Sequence, residues 1–259
     1  MTARHSPRLL APAIVAASGA AASTFGLALP SAAADACPDV QVLFARGTDD
    51  PPGVGPTGQA FVDSLRPRVG AKSFDVYPVD YPATHEWTSA GEAGVRDAGA
   101  HVVAMAHNCP NTNMVLSGYS QGAAVMGFVT SVAVPNGIDP ATVPKPMEPE
   151  VANHISSVVL FALPSDRAMN FFGEPPVAIG PLYQAKTIKV CAAEDPICSE
   201  GMNFAAHDTY STNVAMIDKG AAFAASRLDQ GPRVPPSARP GAPTTVAGSP
   251  LSGVVTANP

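Results

Sequence analysis

The stretch Met114-Val115-Leu116-Ser117-Gly118-Tyr119-Ser120-Gln121-Gly122-Ala123-Ala124-Val125-Met126 decides the fold. It opens on a short apolar run that reads as a buried strand. It closes on an apolar, Ala-containing run that reads as a helix. Between them stands Gly118-Tyr119-Ser120-Gln121-Gly122, a G-x-S-x-G. A strand, a tight turn and a helix in that order lift one serine onto the edge of a parallel sheet. The turn forces Ser120 into a strained backbone conformation. Glycines on both sides remove Cβ atoms that would clash with the neighbouring helix and strand. Ser120 then sits at a helix N-terminus, where the dipole favours developing negative charge.

The pattern repeats outward. Further nearly continuous apolar runs at 40–45, 74–79, 157–163 and 187–191 join 114–118 as five strands. Continuous rather than alternating apolar character predicts strands covered on both faces, as in a parallel sheet. Helical spacing falls between them at 57–69, 89–107, 121–132 and 213–228, with Ser89 and Glu92 placed as a capping box. Alternating strands and helices predict an α/β fold, a three-layer sandwich on a central five-stranded parallel sheet.

The ends differ from this body. Arg4 and Arg8 precede an apolar, Ala-rich stretch, and Ala32-Ala33-Ala34 supplies a small-residue cleavage site. Residues 1–34 therefore read as a secretory signal peptide, 35–228 as the folded domain and 229–259 as a Pro-rich disordered tail. A net charge of −6 argues against a nucleic-acid partner. The four cysteines, Cys37, Cys109, Cys191 and Cys198, all follow the expected cleavage site. In an exported chain they imply two disulfides. Cys191 and Cys198 close a short local loop, which leaves Cys37 for Cys109.

Serine is a weak nucleophile without a base and a group to orient that base. On an α/β-hydrolase sheet the chain order is Ser, acid, His. His154 comes too early for that order, and His207 stands late enough. Between Ser120 and His207 the carboxylates include Glu194, Asp195 and Glu200. Asp195 stands out, because Cys191 and Cys198 bracket it and Pro196 stiffens its turn. Two other motifs carry nothing. His85-Glu86 has Ser89 where a zinc-binding H-E-x-x-H needs histidine. Gly53-Val54-Gly55-Pro56-Thr57-Gly58 matches a dinucleotide pattern but starts too far past its strand, and Pro56 has no N–H to offer. No metal or cofactor is implied.

Three motifs in this order resemble the cutinase family: Phe44-Ala45-Arg46-Gly47-Thr48, Gly118-Tyr119-Ser120-Gln121-Gly122, and Cys191-x-x-x-Asp195-x-x-Cys198 followed by His207. The Ala-rich leader and Pro-rich tail resemble the actinobacterial cutinase-like proteins. The resemblance implies a secreted serine esterase with Ser120 as nucleophile, His207 as base and Asp195 as orienting acid. It implies an oxyanion hole from the backbone N–H groups of Thr48 and Gln121, with the Thr48 hydroxyl as a further donor. It also implies the pairings Cys37–Cys109 and Cys191–Cys198. Its substrates would be short- to medium-chain esters, lipids or polyesters such as cutin, with phospholipids or thioesters as alternatives. A non-catalytic envelope-binding protein on the same fold is the rival reading, and the tail could anchor or space the domain at the cell envelope. The sequence departs from the family after the fourth strand, where Ala162-Leu163-Pro164 replaces the frequent Gly-Asp-Pro. The following insert, 166–182, could wall an acyl site or simply pack, and Met202 and Phe204 could line the rim.

Overall fold

The computed structural model describes residues 37–228 apart from residue 142. The expected signal peptide, 1–34, and tail, 229–259, lie outside the described residues. Five parallel strands form one sheet: β1 (Val40–Ala45), β2 (Phe74–Pro78), β3 (Asn113–Tyr119), β4 (Ile155–Phe161) and β5 (Thr187–Val190). Their order is β2-β1-β3-β4-β5. Successive residues of the central strands serve opposite faces. Val42, Phe44, Val115, Val159 and Phe161 enter one core. Leu43, Ala45, Leu116, Val158 and Leu160 enter the other. Both faces are apolar, which is why these runs read as continuous.

The helices are α1 (Gly55–Leu65), α2 (Trp87–Asn108), α3 (Gln121–Val129), α4 (Asp166–Phe171), α5 (Pro181–Gln184), α6 (Phe204–His207) and α7 (Val214–Leu228). Helices α1 and α7 cover the Phe44 and Phe161 face. Helices α2 and α3 cover the opposite face. The three-layer α/β architecture follows. Helix α7 packs on β4 and β5 and buries Ile217, Ala221, Ala224 and Leu228 in this core. Near its start, Asp218 pairs with Arg68 at 3.0 Å.

The strands lie where the apolar runs predict, within two residues at their ends. Helix ends deviate more, for local reasons. The helix expected over 57–69 begins at Gly55 and gives way at Arg66 to a 3-10 turn, Arg66–Val69. Pro67 has no N–H to continue an α-helical ladder. The expected Ser89 cap is corrected: α2 starts at Trp87 after Glu86, and the Ser89 hydroxyl donates to the Glu86 carbonyl at 3.3 Å. The helix expected to reach 132 stops at Val129, where Thr130 Oγ1 donates back to Met126 O at 3.0 Å. Strand β4 ends at Phe161 because Ala162 turns into the left-handed region, at φ 49°, while fully buried.

Cys37 pairs with Cys109 and Cys191 with Cys198. The first bond spans 72 residues and ties the segment before β1 to the end of α2. Chain-entropy arithmetic gives such a loop an upper contribution of about 4 kcal/mol. The Cys37→Ala, Cys109→Ala double variant should therefore lose stability approaching that size while keeping the hydrogen bonds around Ser120. Urea unfolding beside an activity assay checks both halves of the prediction.

Candidate active site

Open α/β sheets bind ligands beyond the carboxyl ends of their strands, where neighbouring crossovers diverge to opposite faces. Here that point lies between β1 and β3: the chain leaves β1 for α1 on one face and β3 for α3 on the other. Thr48 follows β1 and Ser120 follows β3, so both stand at this divergence.

Ser120 holds φ 54° and ψ −117°. Only a crowded surrounding keeps a non-glycine residue there. A Cβ on Gly118 would stand 2.3 Å from the Gly122 carbonyl oxygen, and a Cβ on Gly122 would stand 2.0 Å from the Ala45 carbonyl oxygen. Neither neighbour is a movable side chain, so both positions demand glycine. The Ser120 N–H donates to Phe161 O at 3.0 Å, which locks the turn to the end of β4.

His207 and Asp195 both come from the chain between β5 and α7. Asn203 caps α6, its side chain accepting from the Ala205 N–H at 3.1 Å, and His207 closes that helix. His207 Nε2 lies 3.0 Å from Ser120 Oγ, and Nδ1 lies 2.9 Å from Asp195 Oδ2. The ring packs over Tyr119, whose hydroxyl donates to the His207 carbonyl at 2.6 Å. Asp195 is fully buried. Its Oδ1 accepts the Ile197 N–H at 2.8 Å, and its Oδ2 also accepts the Tyr210 hydroxyl at 2.8 Å. Burial pushes the Asp195 carboxyl up. Hydrogen bonds from His207, Ile197 and Tyr210 and the imidazole's charge outweigh it, and the net direction is down. The competing acids lie elsewhere: Glu194 faces solvent, and exposed Glu200 pairs with Arg167 at 3.3 Å. His154 bonds the Pro110 carbonyl at 3.0 Å, away from Ser120.

The loop after β1 is held from three sides. Buried Arg46 donates to Tyr81 O at 2.6 Å and to Asp50 O at 3.0 Å. Asp50 accepts the Gly47 N–H at 2.9 Å, and Asp49 N–H donates to Ala83 O at 2.8 Å. These bonds fix Thr48, whose hydroxyl is buried with no partner among the described residues. A buried donor left unsatisfied by the protein is suited to an incoming oxygen. Gln121 is oriented by its own amide, which donates to Thr84 O at 2.8 Å.

The 166–182 insert divides its apolar residues. Phe172 stacks on Trp87 with ring centres 4.0 Å apart, Val177 and Ile179 pack into the α2–α3 core, and Phe171 is exposed. Met202 and Phe204 are also exposed, close to His207 in the chain. Sequence reasoning missed Tyr210 and the structural part of Arg46. Arg46 carried a signal inside its quoted motif. Tyr210 had only its place three residues after His207.

A family model described as Cutinase matches residues 36–228. This chain belongs to the cutinase family. It is 53% identical over 168 residues to a probable carboxylesterase, Culp5, of Mycobacterium tuberculosis, a match covering 65% of this chain and 95% of that one. It is 41% identical over 221 residues to the phospholipase Culp4 of the same organism, covering 85% and 92%. Among solved structures, Trichoderma reesei cutinase in complex with a phosphonate inhibitor matches with a TM-score of 0.54 and 36% identity, covering 74% of this chain and 77% of that one.

Two outcomes follow for this cutinase-family site. Tyr210→Phe removes a donor to Asp195 and the acceptor of the Ala192 N–H, which lies 2.9 Å from the phenol oxygen. The variant should lose about 1–3 kcal/mol in urea unfolding. The second outcome concerns pH. Asp195 is lowered from its ordinary 3.8 on folding, so its ionised form stabilises the fold at and above that value. That contribution is lost as pH falls through the lowered value. Stability measured from neutral pH into acid should fall less steeply in Asp195→Asn than in the parent.

Proposed function

We propose that this protein is an exported serine esterase that hydrolyses carboxylic esters of short to medium acyl length through Ser120, His207 and Asp195. The observation that carries this reading is the unbroken hydrogen-bond chain from Ser120 Oγ through both His207 nitrogens to buried Asp195. His207 Nε2 takes the Ser120 proton as Oγ attacks the ester carbonyl. The resulting oxyanion is held by the Gln121 and Thr48 N–H groups and by the Thr48 hydroxyl. Each such donor is worth about 3 kcal/mol in the transition state. Collapse expels the alcohol, protonated by His207, and leaves an acyl group on Ser120. Water, deprotonated by His207, then attacks that acyl group. The acid departs, and Ser120 recovers its proton. Asp195 holds the imidazole's orientation and stabilises its cationic form.

The reading includes removal of residues 1–34 on export, a folded domain over 35–228 and a tail over 229–259 that spaces the domain at the cell envelope. Two disulfides suit an oxidising compartment.

The test is hydrolysis of p-nitrophenyl esters by the exported chain and its Ser120→Ala variant. The variant should lose at least about a thousandfold in kcat. It should also escape labelling by a fluorophosphonate probe that modifies the parent. Undiminished hydrolysis by Ser120→Ala would remove Ser120 from the chemistry.

A further inference from the structure

Asp195 is the first residue of a single turn, 195–199. The Ser199 N–H closes that turn by donating to the Asp195 carbonyl at 2.9 Å. Inside it the Ile197 N–H donates to Asp195 Oδ1 at 2.8 Å. One carboxylate oxygen is thereby held by the turn, while the other meets His207. A lone turn has no ladder to take up its remaining carbonyls. Here the segment after β4 takes them. The Ser165 N–H donates to Ile197 O at 2.8 Å. Arg167 Nη2 donates to Pro196 O at 3.0 Å and to Ser199 O at 2.8 Å. The guanidinium therefore grips the carbonyl just after Asp195 and the carbonyl at the far end of the turn.

The approach of this segment is built into the chain. Ala162 turns at φ 49° although fully buried, and its N–H donates to Val190 O at 2.9 Å, at the end of β5. Backbone strain of this kind persists where the surroundings demand it. Ser165 then caps α4, its hydroxyl accepting from the Ala168 N–H at 3.3 Å, and Arg167 stands in the first turn of that helix. Its contact with exposed Glu200, at 3.3 Å, is a surface ion pair of the kind that contributes little. Its two bonds to the 195–199 turn are charge-assisted, which makes them the stronger contacts.

We propose that Arg167 is a positioning residue for ester hydrolysis: by holding the Pro196 and Ser199 carbonyls, it keeps Asp195 within hydrogen-bonding distance of His207. The proposal rests on the esterase reading and adds to it a residue outside the Ser120, His207 and Asp195 set on which their alignment depends. It also gives the first turn of the 166–182 insert a role other than walling an acyl chain. Without those two bonds the turn is free to shift, and a displacement of about 1 Å in a reacting group costs up to about a hundredfold in rate. Arg167 touches no substrate, so the loss falls on kcat rather than on KM.

The experiment is a double-mutant cycle on p-nitrophenyl butyrate hydrolysis by the full chain, with competent molecules counted by exhaustive fluorophosphonate titration. Arg167→Met keeps an aliphatic stem and removes every donor. It should lower kcat about tenfold to a hundredfold and leave KM within about twofold of the parent. Arg167→Lys should retain more of kcat than Arg167→Met, because both carbonyls are served from one nitrogen that an ammonium can replace. Glu200→Gln should match the parent. In an Asp195→Asn background, Arg167→Met should cost less than about twofold further, since a residue acting through Asp195 has nothing left to align. The downfield proton signal of the His207 Nδ1–H, which donates to Asp195, should weaken in Arg167→Met. Should Arg167→Met fail to unfold cooperatively in urea, Arg167→Ala carries the same cycle. Parental kcat in the Arg167 variant would overturn the proposal. So would an undiminished loss in the Asp195→Asn background, or a Glu200→Gln variant that reproduces the loss. All three leave the esterase standing. Failure of the parent to hydrolyse any ester, or parental kcat in Asp195→Asn alone, would instead bring down the esterase reading and this proposal with it.

Discussion

The geometry of the site depends on one close approach: the backbone at Gly122 lies so near the Ala45 carbonyl that no side chain fits between them. This contact joins the first turn of α3 to the end of β1 and so brings the Thr48 loop against the Ser120 turn. Ser120 can then hold its left-handed conformation only because β4 clamps its N–H and α3 starts at once. Strain of this kind costs about 1–3 kcal/mol and persists where the surroundings over-determine it. Here they are a sheet buried on both faces, with Leu116, Leu160 and Phe161 fully inaccessible.

The Asp195 side is built on the opposite principle. No regular element carries Asp195; a short cross-linked loop does. Its carboxylate is satisfied by one backbone N–H, one phenol and one imidazole, so removal from water leaves it stable as an anion. Tyr210 works in two directions, donating to Asp195 and accepting from Ala192, which ties the end of β5 to the start of α7. Tyr119 performs a similar service for His207, lying under the imidazole and bonding its backbone. One rigid turn and one pinned loop thus meet across a 3.0 Å hydrogen bond.

What could be read from the chain follows the range of the forces involved. The elbow was legible because its requirements are local: two glycines, a strand before and a helix after. The bracketing cysteines singled out the loop that holds both Glu194 and Asp195 but not the acid within it, and the structure brings Asp195 to His207 while Glu194 faces solvent. The helix ends at Val69 and Val132 were misjudged because Pro67 and Thr130 compete with the ladder in ways that apolar periodicity does not weigh. Tyr210 was illegible because its partners, Asp195 and Ala192, are separated from it in sequence by ordinary loop residues.

The Cys37–Cys109 bond fixes how this domain can be held. It lies at the foot of β1, while Ser120 and Thr48 follow the carboxyl ends of β3 and β1. A surface or fusion partner grasping the protein at that bond leaves the Ser120 end of the sheet pointing outward, free to meet substrates too bulky to enter a crowded gap.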